Sequence, residues 1–173
     1  MKFVYMNNAA TSWPKAPGVA KRVAQCLEEI PGHAHRTGFN EGGGSEDCRG
    51  MIAALMRVDD GDRIAYAANA THALNTAIHG FRYPKGARAV TTDAEHNSVL
   101  RPLHLLQEKG TLTYERVRVD AGGRVIPEEW EKVIKAGDTA LAVFNHASNV
   151  TGAVNDAALL CSIARDEIGR AHV

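Results

Sequence analysis

Three short polar clusters hold the residue types that could do chemistry: Asn69-Ala70-Thr71-His72, Asp93-Ala94-Glu95-His96-Asn97-Ser98, and Asn145-His146-Ala147-Ser148-Asn149. In the first, Thr71 stands where a helix is expected to begin. Free backbone N–H groups and the positive end of the helix dipole suit a phosphate there. Small Ala70 allows close approach, and the Thr71 hydroxyl can add a donor. The same residues also serve as an ordinary helix cap with no ligand. In the second cluster, the His96 imidazole could stack on a flat aromatic group or move a proton, and it could equally be a loop or cap residue. In the third, the Asn149 amide could bond a ligand oxygen, although Asn is also a common turn residue. The chain has neither G-x-x-x-x-G-K-[ST] nor G-x-G-x-x-G, which argues against a nucleotide.

Behind these clusters lies a pattern of elements. Val19, Val23, Leu27 and Ile30 follow helical spacing, and Pro31-Gly32 closes that helix. A Gly-rich loop over 33–44 leads to a second helix starting at Ser45, with Met51, Ile52, Leu55 and Met56 as its buried side. From Arg63 onward the pattern alternates. Strands are expected at 63–68, 87–92, 113–119 and 139–145, and helices at 71–81, 99–108, 127–135 and 156–165. Such alternation predicts an α/β layer with a largely parallel sheet. Each polar cluster then falls just beyond the carboxyl end of a strand, where ligands bind in open α/β sheets.

Composition removes other classes. The 173 residues suffice for one domain, and 20 basic against 20 acidic residues leave no surplus for a dedicated nucleic-acid binder. Cys26, Cys48 and Cys161 are dispersed, with neither a disulfide framework nor zinc-ligand spacing, so free thiols and no metal site are expected. No apolar run approaches the roughly 20 residues of a membrane helix. The expected place is the cytoplasm, with no membrane partner.

The clusters together, in order and spacing, resemble the class V aminotransferases, and within them a cysteine desulfurase-like subgroup. Residues 5–11 are similar to the opening Y-x-(D/N)-N-A-A-T, and 69–75 to the phosphate-loop motif G-A-T-E-A-x-N. Residues 93–100 resemble x-x-x-E-H-N-S-x-L, and 146–152 resemble H-x-S-N-V-T-G. One departure is His72, where the family usually has Glu.

The resemblance implies an α/β, three-layer fold: the large domain of the fold-type-I pyridoxal-phosphate enzymes, with a largely parallel sheet. It implies pyridoxal 5′-phosphate as cofactor. Ala70, Thr71 and His72 would cradle its phosphate, His96 would stack on the ring and take part in proton transfer, and Asn149 would bond the phenolic oxygen. Asn8, Ala9, Ala10 and Thr11, with His35 and Arg36, would lie near the substrate mouth. The activity implied is that of a cysteine desulfurase or selenocysteine lyase. Cysteine would be the substrate, a sulfur-acceptor protein a partner, and a homodimer the assembly. Another aminotransferase or lyase of the family is the alternative, as is a non-catalytic phosphate-binding module.

In the family the cofactor-bearing lysine, the acid beside the pyridine nitrogen and the reactive cysteine all follow the S-N-V-T-G segment. None of the seven lysines here stands in the family's His-Lys setting. The sequence therefore reads as a truncated N-terminal part of the domain over 1–167. By itself it is expected to be inactive and unable to attach the cofactor through the family lysine. Residues 168–173, Ile-Gly-Arg-Ala-His-Val, resemble a translated sequencing adapter and are expected to be foreign to it.

Overall fold

The computed structural model describes residues 3–28 and 44–168. The chain forms two compact units, Met1–Tyr66 and Ala67–Val173.

In the first unit, the helices α1 (Val19–Glu28) and α2 (Gly44–Met56) are followed by a short 3-10 turn, Gly61–Arg63. The expected helices are both present, yet their apolar faces are not buried. Val23 and Leu27 are exposed, as are Met51, Leu55 and Met56; Ala53 is the buried residue of α2, and Ile52 is half-buried. The reason is the small amount of structure available to cover them: among the described elements α2 packs on the 3-10 turn. Of the loop expected over 33–44, Gly44 instead begins α2, and the rest, with Ile30, lies outside the described residues. The strand expected at 63–68 is a second correction. After the 3-10 turn this stretch stays outside any sheet, because among the described residues no strand offers it a backbone partner.

The second unit holds α3 (Ala70–Gly80), β1 (Ala87–Thr92), α4 (Asn97–Glu108), β2 (Leu112–Val117), α5 (Pro127–Lys135), β3 (Thr139–Ala142) and α6 (Ala157–Ile168). The three strands are parallel in the order β2-β1-β3. β1 is central and five of its six residues are buried, which suits a parallel strand covered on both faces. Alternation along β1 sorts the core into two layers. Ala87 and Ala89 pack with Ile78, Val99, Leu103 and Leu106 of α3 and α4. Val90 packs with Trp130, Ile134, Leu160 and Ala164 of α5 and α6. Helices thus cover both faces of the sheet, giving the expected three layers. β2 and β3 are shorter than expected. Beyond Val117 and Ala142 the chain turns away into loops held by the isolated bridges Val119–Val125 and Ala147–Val154.

At the amino end of the sheet, Arg88 secures α5. Its guanidinium donates to the carbonyls of Val133 (2.7 Å), Ile134 (3.2 Å) and Gly137 (3.2 Å), and pairs with Glu115 at 3.0 Å. The carboxyl end of the same strand is left for the polar clusters.

Candidate functional site

Because β1, β2 and β3 are parallel, the segments after β1 and β3 emerge at one end of the sheet. α3 delivers its first turn to the same place. Thr71, Asn75, His96, Asn97, Ser98, Arg101 and Pro102 line one cleft of about 280 Å³. Two larger clefts in this unit, about 460 and 510 Å³, run along 120–127 and along β2 and α5. Neither includes a residue singled out from the sequence.

The start of α3 is built by two side chains. Asn69 is the N-cap, and its Oδ1 accepts from the His72 amide at 2.8 Å. His72 turns back, its Nδ1 accepting from the Ala68 amide at 3.4 Å. The cap therefore uses the His72 N–H and leaves the amides of Ala70 and Thr71, with the Thr71 hydroxyl, open to solvent. Two backbone donors and a hydroxyl at a helix start are the donor set for a phosphate monoester. Asn75 fastens this turn to its neighbour: its amide donates to the Thr71 carbonyl at 2.9 Å and reaches the Ser98 carbonyl at 3.5 Å.

His96 is the N-cap of α4. Its Nδ1 accepts from the Ser98 amide at 3.1 Å and lies 2.8 Å from the Ser98 hydroxyl. The cap reading and the ligand reading are therefore compatible. Because Nδ1 accepts an N–H, the neutral ring is assigned its proton on Nε2, and that edge has no partner among the described residues. The ring is exposed on the cleft while Ser98, which holds it, is buried.

Asn149 lies on the loop after β3, is exposed and makes no side-chain hydrogen bond among the described residues. It is not among the residues lining the Thr71–His96 cleft. Its loop is nonetheless well fixed. The Ser148 amide donates to the Ala153 carbonyl and the Gly152 amide to the Ser148 carbonyl, both at 2.9 Å. Gly152 adopts φ +74°, a left-handed conformation that favours glycine. Asn155 anchors the base of the loop from a buried position.

The other expected residues are not part of the second unit. Asn8, Ala9, Ala10 and Thr11 belong to the first unit, in a turn where Asn8 Oδ1 accepts from the Trp13 amide and Thr11 Oγ1 accepts from Lys15. His35 and Arg36 lie outside the described residues. Sequence reasoning placed Glu95 and Ser98 in a polar cluster without giving them a role and passed over Asn155; all three touch the named residues or the loops that carry them. The signal for Glu95 was its place beside His96; for Asn155 there was none, since its partner Val125 is thirty residues away in the chain.

The sequence model of the family Aminotransferase class-V matches residues 4–172. The chain is 31% identical over 170 residues to the cysteine desulfurase IscS of Dictyoglomus turgidum, which covers 94% of this chain and 42% of that protein. To the cysteine desulfurase IscS of Acinetobacter baumannii it is 30% identical over 172 residues, again 94% and 42%. Among solved structures, a NifS-like protein superposes with a TM-score of 0.81 at 27% identity, covering 98% of this chain and 48% of that one. The apo cysteine desulfurase from Thermococcus onnurineus NA1 gives a TM-score of 0.63 at 30% identity, over 71% of this chain and 30% of that one. The chain spans less than half the length of these relatives. Its architecture is the α/β arrangement of fold-type-I enzymes. The chain belongs to the class-V aminotransferase family.

Proposed function

We propose that the protein carrying this chain is a pyridoxal-phosphate enzyme of the cysteine desulfurase or selenocysteine lyase kind. It would cleave the C–S bond of cysteine to give alanine and an enzyme-bound persulfide. One observation carries the reading: Thr71 and His96 line a single cleft at the carboxyl end of the sheet, in a chain whose relatives include cysteine desulfurases.

Pyridoxal 5′-phosphate is the cofactor of the family's full-length members. The donor set here fits it, with open amides and a hydroxyl for a phosphate beside an exposed imidazole for a flat ring. When bound, this cofactor supplies an electron sink for the carbon it activates. The Ala70 and Thr71 amides and the Thr71 hydroxyl hold the phosphate. His72 contributes the shape of the turn through its bonds with Asn69 and Ala68. His96, held by Ser98, covers a face of the ring and keeps water from it, and its Nε2–H is the atom left to hold or hand on a proton. The Asn149 amide bonds the phenolic oxygen. The family resemblance would assign Asn8 to Thr11, His35 and Arg36 to the substrate mouth of the whole enzyme. Residues 1–167 would form part of one domain of the whole enzyme. The whole enzyme is a cytoplasmic homodimer that passes sulfur to an acceptor protein. Among the described residues no helix is long and apolar enough to cross a membrane.

Two measurements test the reading. Thr71→Val removes one donor to a charged group, so pyridoxal phosphate binding should weaken by about 1.5–3 kcal/mol. Unchanged affinity would remove the phosphate from this turn. With cysteine, the protein carrying this chain should release alanine and load sulfur onto a thiol; a keto acid in place of alanine would make it an aminotransferase.

A further inference from the structure

We infer that Glu95 is a positioning residue of this site, its carboxylate clamping the end of β1 to the end of β3 so that His96 and the loop bearing Asn149 keep one spacing. The inference rests on the cofactor reading above.

The argument begins where the sheet stops. The last backbone rung between β1 and β3 runs from the Val143 amide to the Val90 carbonyl at 2.9 Å. On its other side β1 stays bound to β2 one step further, the Asp93 amide donating to the Val117 carbonyl at 2.9 Å. Past Val143 the β3 chain has no backbone bond to β1, so the crevice opens there. Glu95 closes this gap with a side chain. Its Oε1 accepts from the Asn145 amide at 2.5 Å and from the Thr92 hydroxyl at 3.0 Å. Thr92 is fully buried at the end of β1 and also accepts from the Ala94 amide at 3.3 Å, which sets the turn that presents Glu95.

Three things mark this as more than a surface contact. Glu95 is half-buried and pairs with no cation among the described residues, so hydrogen-bond donors compensate its placement there. Burial pushes its carboxyl above the ordinary range, and the bonds from Thr92 and from the Asn145 and His96 amides pull the other way. The clamp also continues: Asn155 donates to the Asn145 carbonyl at 2.6 Å and accepts from the Val125 amide at 2.8 Å. Asn145 is thus gripped at both N–H and C=O, immediately before the loop of Asn149. Glu95 does not line the cleft, so it acts through His96, its neighbour in the chain, and through Asn145.

The test compares Glu95→Ala with Glu95→Gln, which keeps an oxygen for both donors. Amide hydrogen exchange over 144–152 should speed up at least about tenfold in Glu95→Ala, as expected for losing a bond to a charged acceptor. Exchange over 99–106, in the core of α4, should not change. Affinity for pyridoxal 5′-phosphate should fall by a similar factor, with a weaker induced circular dichroism of the bound ring. Glu95→Gln should restore all three readouts. Wild-type exchange in Glu95→Ala, or a Glu95→Gln protein as impaired as Glu95→Ala, would overturn the clamp. If the unsubstituted full-length protein carrying this chain binds no pyridoxal phosphate, the cofactor reading falls instead, and the exchange data alone decide the clamp.

Discussion

Replacing Asn155 should cost more stability than any change at the exposed site residues. Asn155 is 7% exposed, and its amide makes two bonds in opposite senses. Oδ1 accepts from the Val125 amide at 2.8 Å, and Nδ2 donates to the Asn145 carbonyl at 2.6 Å. Asn155→Ala removes both partners and leaves a backbone donor and a backbone acceptor unpaired. Each such group costs about 1–3 kcal/mol, so the sum is about 2–6 kcal/mol. For a chain of 173 residues, at about 2–4 °C per kcal/mol, that lowers Tm by roughly 4–24 °C. Asn155→Asp separates the two bonds, because it keeps the acceptor for Val125 and sets a carboxylate oxygen against the Asn145 carbonyl. Its carboxyl would be held above the ordinary range near 4. Such a group adds stability below its unfolded pKa and loses it as pH rises through the folded value. Asn155→Asp should therefore be destabilised at pH 7 and recover as pH falls toward 4. Urea melts at several pH values read both effects. If Asn155→Ala lies within about 0.5 kcal/mol of the parent, like an ordinary surface change, the bonding scheme at this loop is wrong.

Leu103 is fully buried between the sheet and α3, and Leu103→Ala should cost about 2–5 kcal/mol by equilibrium unfolding. A loss below about 1 kcal/mol would mean that α4 does not pack there. Tyr83 donates to the Ile78 carbonyl at 2.8 Å, and burial pushes its pKa up to about 12. Its neutral form is favoured in the folded state, so its contribution is full below about 10 and is lost as pH rises toward 12. Absorbance titration near 295 nm should show one of the four tyrosines ionising late, a step that Tyr83→Phe removes.

The parts of the fold that were legible in the sequence are those where local pattern and tertiary context agree. Ala87–Thr92 and Pro127–Lys135 fall where the pattern puts them. The first is an apolar run short enough for a strand; the second opens on proline and carries Trp130 and Ile134 on one face. The 63–68 stretch has an equally good strand pattern and forms none, because a strand needs a neighbour and pattern does not say whether one is present. Likewise Val23, Leu27 and Leu55 have the spacing of a buried face and remain exposed. Periodicity states which residues seek cover, and cover itself is a property of what lies opposite.

The site divides along the same line. His96 was legible because a strand end followed by a helix start makes a position as well as a residue type. Thr71 was legible as a helix start alone, since the strand expected before it does not form. Their fixing was not legible. His96 depends on Ser98 two places on, which lies within reach of sequence reasoning, but the Asn149 loop depends on Glu95 and Asn155, joined through Asn145 across a sheet gap. No spacing rule encodes that junction, since it arises where β3 parts from β1 after Val143 and a side chain takes over from the backbone ladder. A ligand crevice in an α/β sheet opens where adjacent strands cease to pair, so groups that span the break set the distance between its walls. In this chain the spanning group is a single carboxylate, and it stands next in sequence to the imidazole that faces the cleft.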